Sequence, residues 1–232
     1  MAVHRLSAVL FLALGGCGGP AGSVESVCYG TPENGSLDNG ISLPLSGTNF
    51  SSYSYLGWQM GRTHVHSKVH AVLLEAFSSL EASAPEKVFV SGEMGWASGG
   101  RIRPHKTHRH GLSVDLMVPV LRNGKSVPLP TSPLNKFGYD LEFTDDGALG
   151  DYQIDWEALA LWLHELHRSA ERNGVPIRRV IFEVPLQGHL FKSSHGALLK
   201  KSITFSTKPA WVRHDEHFHV DFSVPCRPAT ES

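Results

Sequence analysis

Two histidine clusters place the strongest constraint on what this chain can fold into. Of 14 histidines in 232 residues, six fall in two short stretches: His105, His108 and His110, then His214, His217 and His219. Imidazole is the commonest protein metal ligand and a frequent proton shuttle near neutrality. A fold that uses both stretches at one site must bring distant parts of the chain together.

The first stretch runs Pro104-His105-Lys106-Thr107-His108-Arg109-His110-Gly111-Leu112-Ser113-Val114-Asp115, and the second His214-Asp215-Glu216-His217-Phe218-His219. A catalytic zinc site takes three protein ligands, neutral imidazoles or carboxylates, and leaves a position for water. His108 falls in a loop and Asp115 on the strand that follows. Gly111 between them lets the chain turn so that both face one ion. His217 and His219 are two apart and share a face on a strand, so one can bind the metal while the other stands beside the water. Each half alone is a weak signal. Both together in an exported chain outweigh a set of solvated surface histidines.

Export is read from the N-terminus. Arg5 precedes the apolar run Leu6–Leu14, too short for a permanent span but long enough for a signal-peptide core. Leu14-Gly15-Gly16-Cys17 is similar to a bacterial lipobox, in which the cysteine is lipidated. Residues 1–16 are therefore expected to be a lipoprotein-type signal, 17–27 a tether, and 28–232 one domain, lipid-anchored to a membrane at Cys17 and facing the periplasm. With Cys17 lipidated, Cys28 and Cys226 remain, and a pair in an oxidising compartment suggests a disulfide. Hydrophobic residues at 41%, charged residues at 19% and a formal net charge of -1 suit a globular domain with a core and give no footprint for nucleic acid.

Between these landmarks the pattern predicts α+β: a small antiparallel sheet with flanking helices and long irregular loops. Tyr29 to Trp58 reads as an irregular surface-wrapping segment, rich in Gly, Ser, Asn and Pro. His66 to Ser83 is a helix whose apolar stripe is Val69, Val72, Leu73, Ala76, Phe77 and Leu80. Asp155 caps a second helix, with Trp156, Leu159, Leu163, Leu166 and Ala170 on one face and Gly174 as its stop. Strands are expected over Lys87–Ser91, Leu112–Leu121, Arg179–Val184 and Phe218–Val224.

The clusters resemble the penicillin-insensitive murein endopeptidases, within the wider group of lysostaphin-type and D-Ala-D-Ala metallopeptidases. That group shows a His, six residues, an Asp and a later His-x-His. The endopeptidase subset adds a His three positions before each motif, here His105 and His214. Cys28-Tyr29-Gly30-Thr31-Pro32, Gly92-Glu93-Met94-Gly95, Gly99-Gly100-Arg101 and Trp211-Val212-Arg213-His214-Asp215 also look familial. The resemblance implies one zinc ion on His108, Asp115 and His219, with His217 as the base and His105 and His214 lining the site. Related D,D-dipeptidases use a Glu three positions before the last ligand, where Glu216 stands. On a regular strand Glu216 points away from His217 and His219, which favours His217.

The implied reaction is hydrolysis of D-alanyl–diaminopimelate cross-links in peptidoglycan, without an acyl-enzyme. The absence of a Ser-x-x-Lys motif agrees with that. Arg101, Arg103, Lys106 and Arg109 flank the first cluster and are placed to meet substrate carboxylates. The rival readings are a D,D- or L,D-carboxypeptidase of the same group and a lipoprotein that binds zinc or peptidoglycan without cutting. The sequence does not specify the oligomeric state.

Overall fold

A computed structural model describes residues 24–229. The expected signal peptide, Cys17 and most of the expected tether lie outside the described residues. The chain opens with a hairpin, β1 (Val27–Thr31) and β2 (Asn34–Asp38), then β3 (Ile41–Ser42), β4 (Phe50–Ser52), the short helix α1 (Tyr55–Gln59) and β5 (His64–Val65). Helix α2 (Ser67–Ser83) leads to β6 (Phe89–Ser91) and β7 (Ser113–Met117). Next come β8 (Val120–Arg122), β9 (Lys125–Val127), β10 (Ala148–Leu149) and β11 (Tyr152–Ile154). Helix α3 (Trp156–Arg172), β12 (Ile177–Ile181), α4 (Val184–Leu190), α5 (Gly196–Ser202) and β13 (His217–Phe222) complete the order.

The central sheet has the order β12-β13-β7-β6-β4. Its pairs are antiparallel except β4 with β6. This is the expected α+β class. Helices α2 and α3 cover one face of it. Both have the expected apolar stripes, and all six named α2 residues are buried. The N-cap of α2 is His66, whose Nδ1 accepts from Lys68 N at 3.1 Å. Asp155 caps α3 as expected, accepting from Ala158 N at 3.1 Å. Trp162 of α3 is fully buried and joins the layers. Its ring lies 4.9 Å from Phe89, 5.2 Å from Phe218 and 5.7 Å from Phe77. Removing a side chain of this size from water stabilises the fold by roughly 1.5–3 kcal/mol.

Three expectations are corrected. Tyr29–Trp58 is not irregular wrapping. It holds the β1–β2 hairpin and β4 of the central sheet, and it buries Leu37, Leu43, Phe50 and Tyr53. Its Gly, Asn and Ser residues mark short turns between very short strands, and they mask the sparse apolar anchors. The expected strand Leu112–Leu121 is two strands in different sheets. The chain leaves the central sheet at Val118-Pro119, because Pro119 has no N–H to donate to a ladder. The expected strand Arg179–Val184 ends at Ile181, and Val184-Pro185 already forms the first turn of α4, a position that suits proline.

The disulfide forms as expected, joining Cys28 and Cys226 across 198 positions. Beside it, Arg227 N donates to Cys28 O and Gly30 N to Arg227 O, both at 2.9 Å. The two ends of the domain are thus stitched together. No helix among the described residues is long and apolar enough to cross a membrane.

Candidate metal centre

The register of β7 against β13 builds the site. His219 lies opposite Asp115, Asp221 opposite Ser113 and His217 opposite Met117. Successive strand residues alternate faces. Val114, Leu116, Phe218 and Val220 therefore turn toward the helices, and Asp115, His217, His219 and Asp221 turn to the opposite face. The loop 92–112 folds over that face and supplies His105 and His108. Gly111 has a φ of +76°, and a Cβ there would sit 2.8 Å from His66 N. No other residue could turn the chain so closely past helix α2, which bears out the expected bend. His108 itself is left-handed at φ +68°, a sparsely populated region for any side chain.

Three donor atoms meet. His108 Nε2 lies 3.0 Å from His219 Nδ1 and 3.2 Å from Asp115 Oδ1. His219 Nδ1 lies 2.9 Å from the same Oδ1. A tetrahedral ion with bonds of about 2.0–2.1 Å has ligand-to-ligand edges of about 3.3 Å, close to this triangle. The far nitrogen of each imidazole has an acceptor. His108 Nδ1 donates to Met94 O at 2.6 Å, and His219 Nε2 to Asp221 Oδ1 at 2.9 Å. Such outer partners fix the tautomer and turn the other lone pair inward, as metal sites require. Asp221 is in turn held by Ser113 Oγ at 2.7 Å and by Arg179 at 2.7 Å.

The electrostatics also favour a cation. His108, His217 and His105 hold the Asp115 carboxyl well below its usual range, although burial opposes this. Burial pulls His219 down, but hydrogen bonds with Asp115 and Asp221 push it up to about 9. The site thus draws positive charge to the point where the three donors meet. His105, His108 and Asp115 also place donor atoms within 4.8 Å of one another, which makes His105 a rival third ligand. His219 fits better. His105 Nε2 is engaged by Glu93 Oε2 at 2.5 Å, and its Nδ1 stays 3.6 Å from Asp115 Oδ2.

His105 and His214 flank the triangle. The His105 ring lies 4.5 Å from that of His108, and the His214 ring 4.5 Å from that of His217. His214 Nδ1 donates to Val212 O at 2.9 Å. Burial pulls His214 and His217 each down to about 4. His217 Nε2 points toward the site, 3.8 Å from Asp115 Oδ2. Its Nδ1 lies 2.8 Å from Glu216 Oε1. Glu216 therefore does not stand clear of His217 as regular alternation implied. Strand β13 begins at His217, so the pleat does not govern the residue before it. Burial pushes Glu216 up to about 8 and the adjacent Asp215 up to about 7.

Two residues were missed as site components. Glu93 lay in a familial stretch without a role. Its carboxylate takes a two-pronged Arg62 contact at 2.5 and 2.8 Å as well as the His105 bond. Burial opposes its charge, but His105 and Arg62 bring it down to about 2. Tyr139 carried no sequence signal at all. Its hydroxyl donates to Asp115 Oδ2 at 3.1 Å. Of the expected basic residues, Arg101, Arg103 and Lys106 are exposed and Arg109 is half-buried. Lys106 Nζ lies 4.8 Å from the centre of the exposed Trp211 ring.

Comparison with individual curated proteins gave no match. A family model for the penicillin-insensitive murein endopeptidases matches residues 28–231, which span all the residues described above as building the site. This chain belongs to the penicillin-insensitive murein endopeptidase family.

Proposed function

We propose that the chain is a zinc-dependent endopeptidase that hydrolyses D-alanyl–diaminopimelate cross-links of peptidoglycan, in the periplasm and held by a lipid on Cys17. The observation that carries the zinc reading is the triangle of His108 Nε2, Asp115 Oδ1 and His219 Nδ1, with edges of 2.9–3.2 Å. A zinc ion on these atoms would polarise the scissile carbonyl and make water a nucleophile near neutral pH. His217 does the proton work. Glu216 holds its Nδ1, so Nε2 accepts the proton of the attacking water and passes it to the departing amine nitrogen. His214, with Nδ1 turned to Val212 O, presents Nε2 to the substrate carbonyl from one side, and His105 closes the other side. No side chain forms a covalent bond to the substrate, which fits an enzyme indifferent to β-lactams.

The test is digestion of purified cross-linked muropeptides, read by mass, with the protein stripped of metal and then reloaded with zinc. Cleavage of dimers to monomers only after zinc is restored is the expected result. Loss of single D-alanine residues from uncut dimers would point to a carboxypeptidase. Zinc binding with no cleavage would leave a binding lipoprotein.

A further inference from the structure

The inference concerns Tyr139 and rests on reading His108, Asp115 and His219 as metal ligands. A carboxylate offers two oxygens, and a metal can take one or both. Asp115 Oδ1 lies within 3.2 Å of His108 Nε2 and His219 Nδ1. Among the described residues its Oδ2 has one hydrogen-bond partner, the Tyr139 hydroxyl at 3.1 Å. His105 Nδ1 and His217 Nε2 stay at 3.6 and 3.8 Å. The direction of the Tyr139 proton follows from its other contact. Glu93 N donates to Tyr139 Oη at 2.9 Å, so the hydroxyl's acceptor side is filled and its proton is free for Oδ2.

The surrounding chain is built to hold that ring in place. Tyr139 follows three residues with positive φ: Lys136 at 48°, Phe137 at 59° and Gly138 at 105°. Two of them bear side chains, in a region that is costly for non-glycine residues and persists only where the surroundings enforce it. Asn135 enforces it. Its Oδ1 accepts from Ser132 N at 2.8 Å and Gly138 N at 2.9 Å, and its Nδ2 donates to Pro130 O at 2.7 Å. The ring then sits 5.0 Å from that of His217 and 5.8 Å from that of His105.

We propose that Tyr139 is a positioning residue for the metal. By holding Asp115 Oδ2 it leaves Oδ1 as the only oxygen that can bind, makes Asp115 a one-oxygen ligand, and so keeps a coordination position open for water. Without the hydroxyl, Asp115 is free to rotate or to bind through both oxygens.

The experiment is Tyr139→Phe, with Asn135→Ala as a second variant that loosens the turn and leaves the ring intact. Metal-free protein is titrated with zinc against a chromophoric chelator, and the cobalt-substituted protein is examined by visible absorption. We expect Tyr139→Phe to bind zinc about 10-fold or more weakly. Its cobalt bands should weaken and shift as coordination number rises, with the melting temperature of the metal-free protein little changed. Asn135→Ala should shift both readouts the same way, less strongly. Zinc affinity within twofold of the parent and an unchanged cobalt spectrum would overturn the proposal. So would a loss of turnover with both metal readouts intact, which would place Tyr139 on the substrate instead. If the parent protein binds no zinc in this titration, the metal reading itself fails, an outcome distinct from the other two.

Discussion

At the residue scale, the division of labour between His217 and His219 is open to direct test. His219→Ala removes a donor from the triangle and should abolish both metal content, measured by atomic emission, and turnover. His217→Ala should lower kcat by roughly 10²–10⁴-fold with metal retained. Glu216→Gln keeps an oxygen for His217 Nδ1, and because burial pushes Glu216 up to about 8 it removes little charge near neutral pH, so a loss of no more than about 10-fold is expected, again with metal in place. If Glu216→Gln removes turnover altogether and His217→Ala does not, the base is Glu216. Metal binding should also depend on pH in a defined sense. His219 is pushed up to about 9 in the metal-free site, so below that pH it carries a proton that the metal must displace. Apparent affinity should rise from pH 6 to pH 8, and calorimetry in buffers of different ionisation enthalpy should show protons released on binding.

The residues legible in the sequence were those whose spacing carries meaning. His108, Asp115, His217 and His219 stand at intervals that point to a shared site once both clusters are taken together. Tyr139 was illegible because nothing in its neighbourhood repeats, and its position is set by the conformation of an irregular loop. Glu93 stands in a stretch with familial resemblance, but its contacts with Arg62 and His105, 31 and 12 positions away, have no local signature.

At the scale of elements, the two long helices were legible because an apolar stripe over several turns is a strong periodic signal. The short strands were not. Most strands among the described residues have two or three residues, too few for alternation to register, and in the five-residue strands of the β1–β2 hairpin Gly, Ser and Asn hide the pattern. The break of Leu112–Leu121 was written in Pro119, which an apolar run on both sides obscured. The junction between β6 and β7 gives an element-scale test. A Cβ at Gly92 would lie 2.8 Å from Asp115 O and 3.0 Å from Asp115 Cβ. Gly92→Ala should therefore cost about 1–3 kcal/mol of stability. It should also weaken zinc binding if the proposed site holds zinc, because the strand that must yield is the one carrying Asp115. A control on the opposite face, Trp162→Ala, should cost about 3–5 kcal/mol in denaturant titration while leaving zinc affinity per folded molecule unchanged.

At the scale of the whole molecule, the Cys28–Cys226 bridge closes nearly the full length of the described chain. Reduction, or replacement of both cysteines by serine, should lower unfolding free energy by about 2–4 kcal/mol, seen as a lower urea midpoint. An unchanged midpoint would show that the backbone bonds between Cys28, Gly30 and Arg227 suffice to hold the ends.

The cross-strand pairing of His219 with Asp115 also bears on which errors this chain tolerates. A shift of β13 by one residue exchanges its two faces, sending His217 and His219 against Trp162 and turning Phe218 and Val220 toward His108 and Asp115. Deleting a single codon within 217–222 should thus remove fold and chemistry in one stroke, leaving no stable inactive form. The β8–β9 turn at Asn123-Gly124 has no such parity to keep, and insertions at these exposed residues should pass with the site intact. Change in length is therefore confined to exposed turns outside the central sheet, and the strands beneath the site are left to vary only by substitution.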